Sequence, residues 1–135
     1  MDDRELLQEA IEAMGDAYSP YSGHPVGAAL LARSGKIYRG VNVENAVNGL
    51  SICAEQVAVA KAVSEGERKF IKIAVACEGP GYCRPCGACR QVLFEFAPEI
   101  EVITGNVQGE FEVQSLTELL PLPFAKPGLK RSARG

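Results

Sequence analysis

The chain has 135 residues, 47% of them hydrophobic, enough for one compact domain with a buried core. Its formal net charge is −3, and its only basic cluster is Lys126, Lys130, Arg131 and Arg134, read as a solvated, flexible tail over 126–135. Binding along a nucleic-acid polymer is therefore not expected; the acidic, amphipathic N-terminus lacks the form of a signal peptide, and no apolar run reaches bilayer length, which together predict a cytosolic protein without a membrane partner.

Residues 3–18 place Leu6, Leu7, Ala10, Ile11 and Met14 at helical spacing with charges opposite, which predicts a surface helix. The stretch YSPYSGHP (18–25) breaks it with two prolines and a glycine. VGAALLA (26–32), the turn RSGK and IYRGVNV (37–43) predict a β-hairpin. After the loop 44–52, CAEQVAVAKAVSEG (53–66) predicts a helix closed by Gly66, apolar around most of its circumference and so expected to be central and heavily buried. IKIAVAC (71–77) has the continuous apolar character of an interior strand. CGACRQVLFEFA (86–97) predicts a helix stopped before Pro98. EVITGN (101–106) and FEVQS (111–115) predict a strand and a weaker edge strand, and SLTELLP a short helix with Ser115 as its N-cap. This order implies an α/β domain with a mixed sheet of roughly five strands and helices on both faces. Strands separated by a helix are expected to be parallel.

Five cysteines is an odd number, and in a reducing compartment they are expected to stay free or bind metal. Cys86 and Cys89 lie three apart at a predicted helix start, where both sulfurs face one way and the helix dipole favours thiolates. That spacing fits a metal clamp and equally a redox pair. Cys53, at the start of another predicted helix, adds a third sulfur, and Cys83 would complete a closed, structural four-cysteine site. Glu55 argues otherwise. A carboxylate two residues into an apolar helix is costly unless something nearby uses it, although taken alone it would be an acidic first-turn residue suiting the dipole. For Cys53 and Glu55 to face one metal, Cys53 must sit at the non-helical cap. Three thiolates leave zinc one open position for water, whose pKa falls to about 7 in good cases, and a nearby carboxylate can shuttle the proton. Zinc nucleobase deaminases use this set, with a Glu that is not a ligand as general acid and base. The expectation is a catalytic Zn2+ site rather than a redox pair or a closed staple.

The stretches YSPYSGHPVGAALL, GVNVENA, CAE, KAVSEG, PCGACRQV and ELLP, in this order, make the chain similar to the small cytidine deaminases over nearly its whole length. The resemblance implies zinc on Cys53, Cys86 and Cys89, with Glu55 moving protons from water to the pyrimidine N3 and the leaving amine. It implies a three-layer α/β/α domain, a homotetramer with active sites shared between subunits, and a small nucleoside substrate. Asn42 and Glu44, two apart at a strand end and so facing the same way, are assigned to the ribose hydroxyls; without the motif they would read as loop-capping side chains. Ala54 falls in the substrate region, and Phe124 is the candidate C-terminal aromatic over the pyrimidine, in a neighbouring subunit; as an isolated Phe it would read as core.

Three departures stand out. Gln56 replaces an arginine that donates to the ligand sulfurs in the family, and Arg84, where relatives carry a small residue, either restores part of that charge or is an exposed loop arginine. His24, the one histidine, stands where relatives have phenylalanine near the nucleoside, and Asn48 replaces a tyrosine. These changes point to a wider or more polar pocket and keep a modified cytosine nucleoside open as substrate. The blasticidin S deaminase branch also lacks the arginine after its C-A-E but does not share NVEN. Cys77 reads as strand packing and Cys83 as a bystander thiol.

Overall fold

The computed structural model describes residues 1–125, so the basic cluster and tail read at 126–135 lie outside the described residues. Asp2 caps α1 (Asp3–Ala13) in a reciprocal capping box with Glu5. The predicted helix stops short of Tyr18: a single 3₁₀ turn, Met14–Asp16, follows, and Ala17 is already extended. β1 (Val26–Ala32) and β2 (Ile37–Val41) form the hairpin, with Gly27 opposite Val41 and Leu31 opposite Ile37. β2 ends two residues before the predicted limit, because Val43 turns away to bridge Tyr18 on one side and Ile52 on the other.

A 3₁₀ turn (Asn48–Leu50) leads to α2 (Ala54–Ser64), then β3 (Phe70–Cys77), α3 (Gly87–Phe96), β4 (Glu101–Asn106), β5 (Phe111–Ser115) and α4 (Leu116–Leu119). Gly66 closes α2 as expected. At φ +95° it lets its own N–H reach Val63 O while Glu67 N–H reaches Ala62 O, the two bonds of a Schellman motif. Ser115 caps α4 in a capping box with Glu118.

The five strands form one mixed sheet in the order β2-β1-β3-β4-β5. β1 runs antiparallel to both β2 and β3, so β2 and β3 share a direction, and β3 pairs parallel with β4. Both helical crossovers therefore join parallel strands, the first stepping over β1. Alternate residues of β1 and β3 serve opposite faces, as a period of two demands. Ala29, Leu31, Ala74 and Ala76 pack with Leu6, Leu7 and Ala10 of α1, whereas Ala28, Leu30, Ile73 and Val75 pack with Ala54, Ala58 and Ala62 of α2 and Leu93 of α3. The three-layer arrangement is the expected one.

α2 is less central than its composition predicts. It buries Ala54, Glu55, Ala58, Val59 and Ala62 but leaves Ala60 and Lys61 exposed, because only one layer of helices covers that sheet face. Its close seating depends on Gly40 of β2: a Cβ there would stand 2.3 Å from Ala54 O and 2.6 Å from Ala58 N. Gly27 plays the same part for α1, where a Cβ would meet Ala10 O at 2.1 Å.

The cysteine expectation needs one correction. Cys77 and Cys83 are joined in a disulfide, so Cys77 is not simply strand packing, Cys83 is not a bystander thiol, and Cys83 does not complete a four-cysteine shell in this state. Cys77 ends β3 and the loop 78–83 returns to its tip, a closure that the sequence gap of six did not advertise.

Candidate active site

Two helix N-termini converge at the carboxyl ends of β1's neighbours. Cys53 is the N-cap of α2, with extended backbone (φ −77°, ψ 153°), which meets the condition for it to share a side with Glu55. Cys86 is the N-cap of α3, and its sulfur accepts the N–H of Cys89 at 3.4 Å. The three sulfurs of Cys53, Cys86 and Cys89 lie within 4.8 Å of one another, all three are free thiols, and Cys86 and Cys89 Sγ are 3.3 Å apart.

The donor set fits zinc. Tetrahedral bonds of about 2.3 Å place sulfurs roughly 3.8 Å apart, inside the range found here. The electrostatics agree. Burial raises the Cys89 thiol strongly, and the nearby Glu55 charge pushes it further; Cys53 is also raised, first by burial. Burial pushes Cys86 upward too, but the N–H groups of Cys89 and Ala88 and the neighbouring sulfurs outweigh it and leave that thiol lowered. Burial thus disfavours the thiolate form of two of the three sulfurs, a cost that a cation bound among them would offset.

Glu55 is 5% exposed, and burial raises its carboxyl above the ordinary range, with a contact to Cys89 pulling the other way. It borders a cavity of about 330 Å³ that Cys53, Cys86 and Cys89 also line. His24, Asn42, Glu44 and Ala54 line the same cavity, as do Ser22, Val26, Ser51, Ile52, Val75, Cys83 and Arg84. Asn42 Oδ1 accepts Val26 N–H at 2.9 Å and its Nδ2 donates to His24 O at 2.9 Å. The Glu44 carboxylate accepts the N–H groups of Tyr21 and Ser22 and the Ser22 hydroxyl, bonds that hold it below the ordinary carboxylate range. Asn42 and Glu44 therefore do cap a loop, and they line the pocket while doing so.

Gln56 Nε2 approaches Cys89 Sγ at 3.7 Å, so glutamine addresses a sulfur where an arginine was expected to. Arg84 is paired outward: its Nε and Nη2 both reach Glu112 Oε1, at 2.7 and 2.6 Å. Two candidates stay apart from this cluster. Asn48 is exposed in the 3₁₀ turn and does not line the cavity, and Phe124 is 78% exposed, its backbone clasped by the Gln91 side chain. Among the described residues no Phe, Tyr or Trp lines the pocket. Ser22 and Ser51 escaped the sequence reading, since nothing local marks a serine that meets Glu44 across 22 positions.

Comparison with known proteins agrees with this geometry. Residues 1–105 match the family model described as the cytidine and deoxycytidylate deaminase zinc-binding region. A cytidine deaminase of Halalkalibacterium halodurans is 48% identical over 92% of this chain and 95% of its own length. One of Sporosarcina psychrophila is 45% identical over 98% of each chain. The crystal structure of a cytidine deaminase from Burkholderia pseudomallei superposes with a TM-score of 0.89 at 46% identity, covering 92% of this chain and all of that one. A blasticidin-S deaminase of Bacillus cereus is a more distant relative, 31% identical over 92% of this chain and 93% of its own. With its helix-capping cysteines, buried Glu55 and matching fold, the chain belongs to the zinc-binding cytidine and deoxycytidylate deaminase family.

Proposed function

We propose that this zinc-dependent deaminase hydrolyses cytidine or deoxycytidine to the uracil nucleoside and ammonia, as a single domain working in cytoplasmic pyrimidine salvage. The carrying observation is the cluster of three sulfurs beside a buried carboxyl, opening on a nucleoside-sized cavity. Cys53, Cys86 and Cys89 would hold the metal, which when bound supplies Lewis acidity that makes a water molecule nucleophilic near neutrality.

Glu55 carries the proton traffic. Its carboxylate takes a proton from the attacking water and delivers it to N3 as oxygen joins C4. It then takes the second proton and passes it to the exocyclic amine, which leaves as ammonia. Burial suits this work, because a raised carboxyl exchanges protons more readily near neutral pH. Asn42 and Glu44 stand where sugar hydroxyls would bind, and Gln56 steadies Cys89.

A homotetramer with shared sites belongs to this reading. Tyr18, Tyr21, Val47, Leu50 and Ile52 are exposed apolar residues grouped in sequence around the cavity's loops, and a pocket without its own aromatic wall suits a ring such as Phe124 from a neighbour. No described helix is long and apolar enough to cross a membrane.

A modified cytosine nucleoside is the second reading, favoured by His24 at a pocket wall that has no aromatic ring of its own among the described residues. Ammonia release from cytidine, deoxycytidine, free cytosine and blasticidin S, measured in the steady state, tests both. Turnover of the plain nucleosides is expected; turnover of blasticidin S alone would select the second reading, and none at all would overturn both.

A further inference from the structure

Four of the five cysteines border one cavity, and only three of them belong to the free-thiol cluster. The fourth, Cys83, is bonded to Cys77 at the end of β3. Cys83, Cys86 and Cys89 are spaced three apart, a spacing that lets neighbouring cysteines serve a common cation. The segment carrying Cys83 is also held from its other side, by Arg84 on Glu112 and by Arg90 Nε on Pro85 O, contacts that do not depend on the disulfide.

We propose that the Cys77–Cys83 disulfide keeps the metal centre open, and that its reduction releases Cys83 as a fourth sulfur ligand that closes it. The inference rests on the reading of Cys53, Cys86 and Cys89 as zinc ligands. A dithiol reductant supplies two electrons and two protons: the S–S bond breaks, Cys77 and Cys83 become thiols, and the reductant becomes a disulfide. Cys83 then gives its proton to solvent, and its sulfur takes the position otherwise used by water. Three-sulfur zinc sites with an open position are catalytic, whereas four-sulfur sites are closed and structural. In this scheme a reducing compartment such as the cytoplasm holds the centre closed at rest, and oxidation of the Cys77–Cys83 pair opens it for turnover.

The test compares wild-type protein, with and without dithiothreitol, against Cys77→Ala and Cys83→Ala. Each is loaded with Co2+, whose sulfur-to-metal charge-transfer absorption follows the number of sulfur ligands, and in parallel with Zn2+ for turnover. Reduced wild type and Cys77→Ala should gain about one third in charge-transfer intensity, three ligands becoming four, and lose turnover. Cys83→Ala should show the three-sulfur spectrum and a turnover indifferent to dithiothreitol. Both variants lack the same disulfide, so a crosslink acting only as a tether would make them alike. Matching spectra overturn the proposal. Reduction of wild type gives the same readout without substitution, which covers a Cys77 variant that fails to fold. Diverging cobalt spectra with no ammonia release from any zinc form would instead condemn the substrate assignment and leave the ligand exchange standing.

Discussion

Replacing Gly40 with alanine should damage the metal centre from a distance. The new Cβ would stand 2.3 Å from Ala54 O and 2.6 Å from Ala58 N, against an ordinary contact of roughly 3.5 Å. β2 is paired along its length with β1, so α2 must retreat by about 1 Å, and Cys53 and Glu55 sit on its first turn. Overpacking of this kind costs about 1–3 kcal/mol, or roughly 4–12 °C in Tm for a chain of this size. A misplacement of about 1 Å can reduce catalysis by about 10²-fold. The control is Gly27→Ala, whose Cβ would meet Ala10 O at 2.1 Å on the opposite sheet face. It should lower Tm comparably while leaving zinc retention unchanged, because α1 carries none of the cluster. The assays are thermal unfolding, zinc transfer to a chromogenic chelator, and steady-state deamination. If the two variants lose zinc at the same rate, the close seating of α2 on Gly40 does not set the site's geometry.

Glu55→Gln should keep fold and zinc yet lose about 10²–10⁴-fold in kcat, since an amide cannot accept the proton; near-normal turnover would remove Glu55 from the mechanism. Gln56→Ala should speed zinc loss to a chelator by roughly 10–100-fold, by deleting the donor at Cys89, and Gln56→Arg should slow it. Tyr38 is buried and donates to Glu67, and burial first, then that bond, raises its phenol to about 12. A raised folded-state pKa means stability that is whole below the unfolded value of about 10 and is lost as pH rises through about 12. Tyr38→Phe should therefore flatten the alkaline limb of stability against pH, and an unchanged limb in chemical denaturation would refute it.

The elements were legible because their signals are local. The apolar runs of β1 and β3, Gly66 after α2 and Ser115 before α4 each act within a few residues. The metal cluster was legible for a related reason: Cys53, Glu55, Cys86 and Cys89 are placed by helix starts, which sequence marks well. What escaped depends on contacts across the chain. The exposure of Ala60 follows from how many helices cover the sheet, and Ser22 meets Glu44 only after the hairpin has brought loop 18–25 alongside β2. The Cys77–Cys83 bond required knowing that the loop folds back on its strand, and Arg84 that β5 brings Glu112 beside it.

The wall formed by Asn42 and Glu44 has a bearing on selectivity between sugars. Both side chains are already engaged by protein groups, Glu44 by two N–H donors and a hydroxyl, and Asn42 by Val26 and His24. Folding has therefore frozen two rotamers that would otherwise each cost about 0.5–1.5 kcal/mol to immobilise on association. The strongest discrimination, roughly 10⁴–10⁵-fold, arises where a missing ligand hydroxyl strands a buried polar group without a partner. Glu44 already has Tyr21 and Ser22 as partners, so a sugar that lacks one hydroxyl does not strand it. On the proposed reading, ribose and 2-deoxyribose should differ far less in kcat/KM than a vacant acceptor would impose, and the wall is built for tolerance between the two.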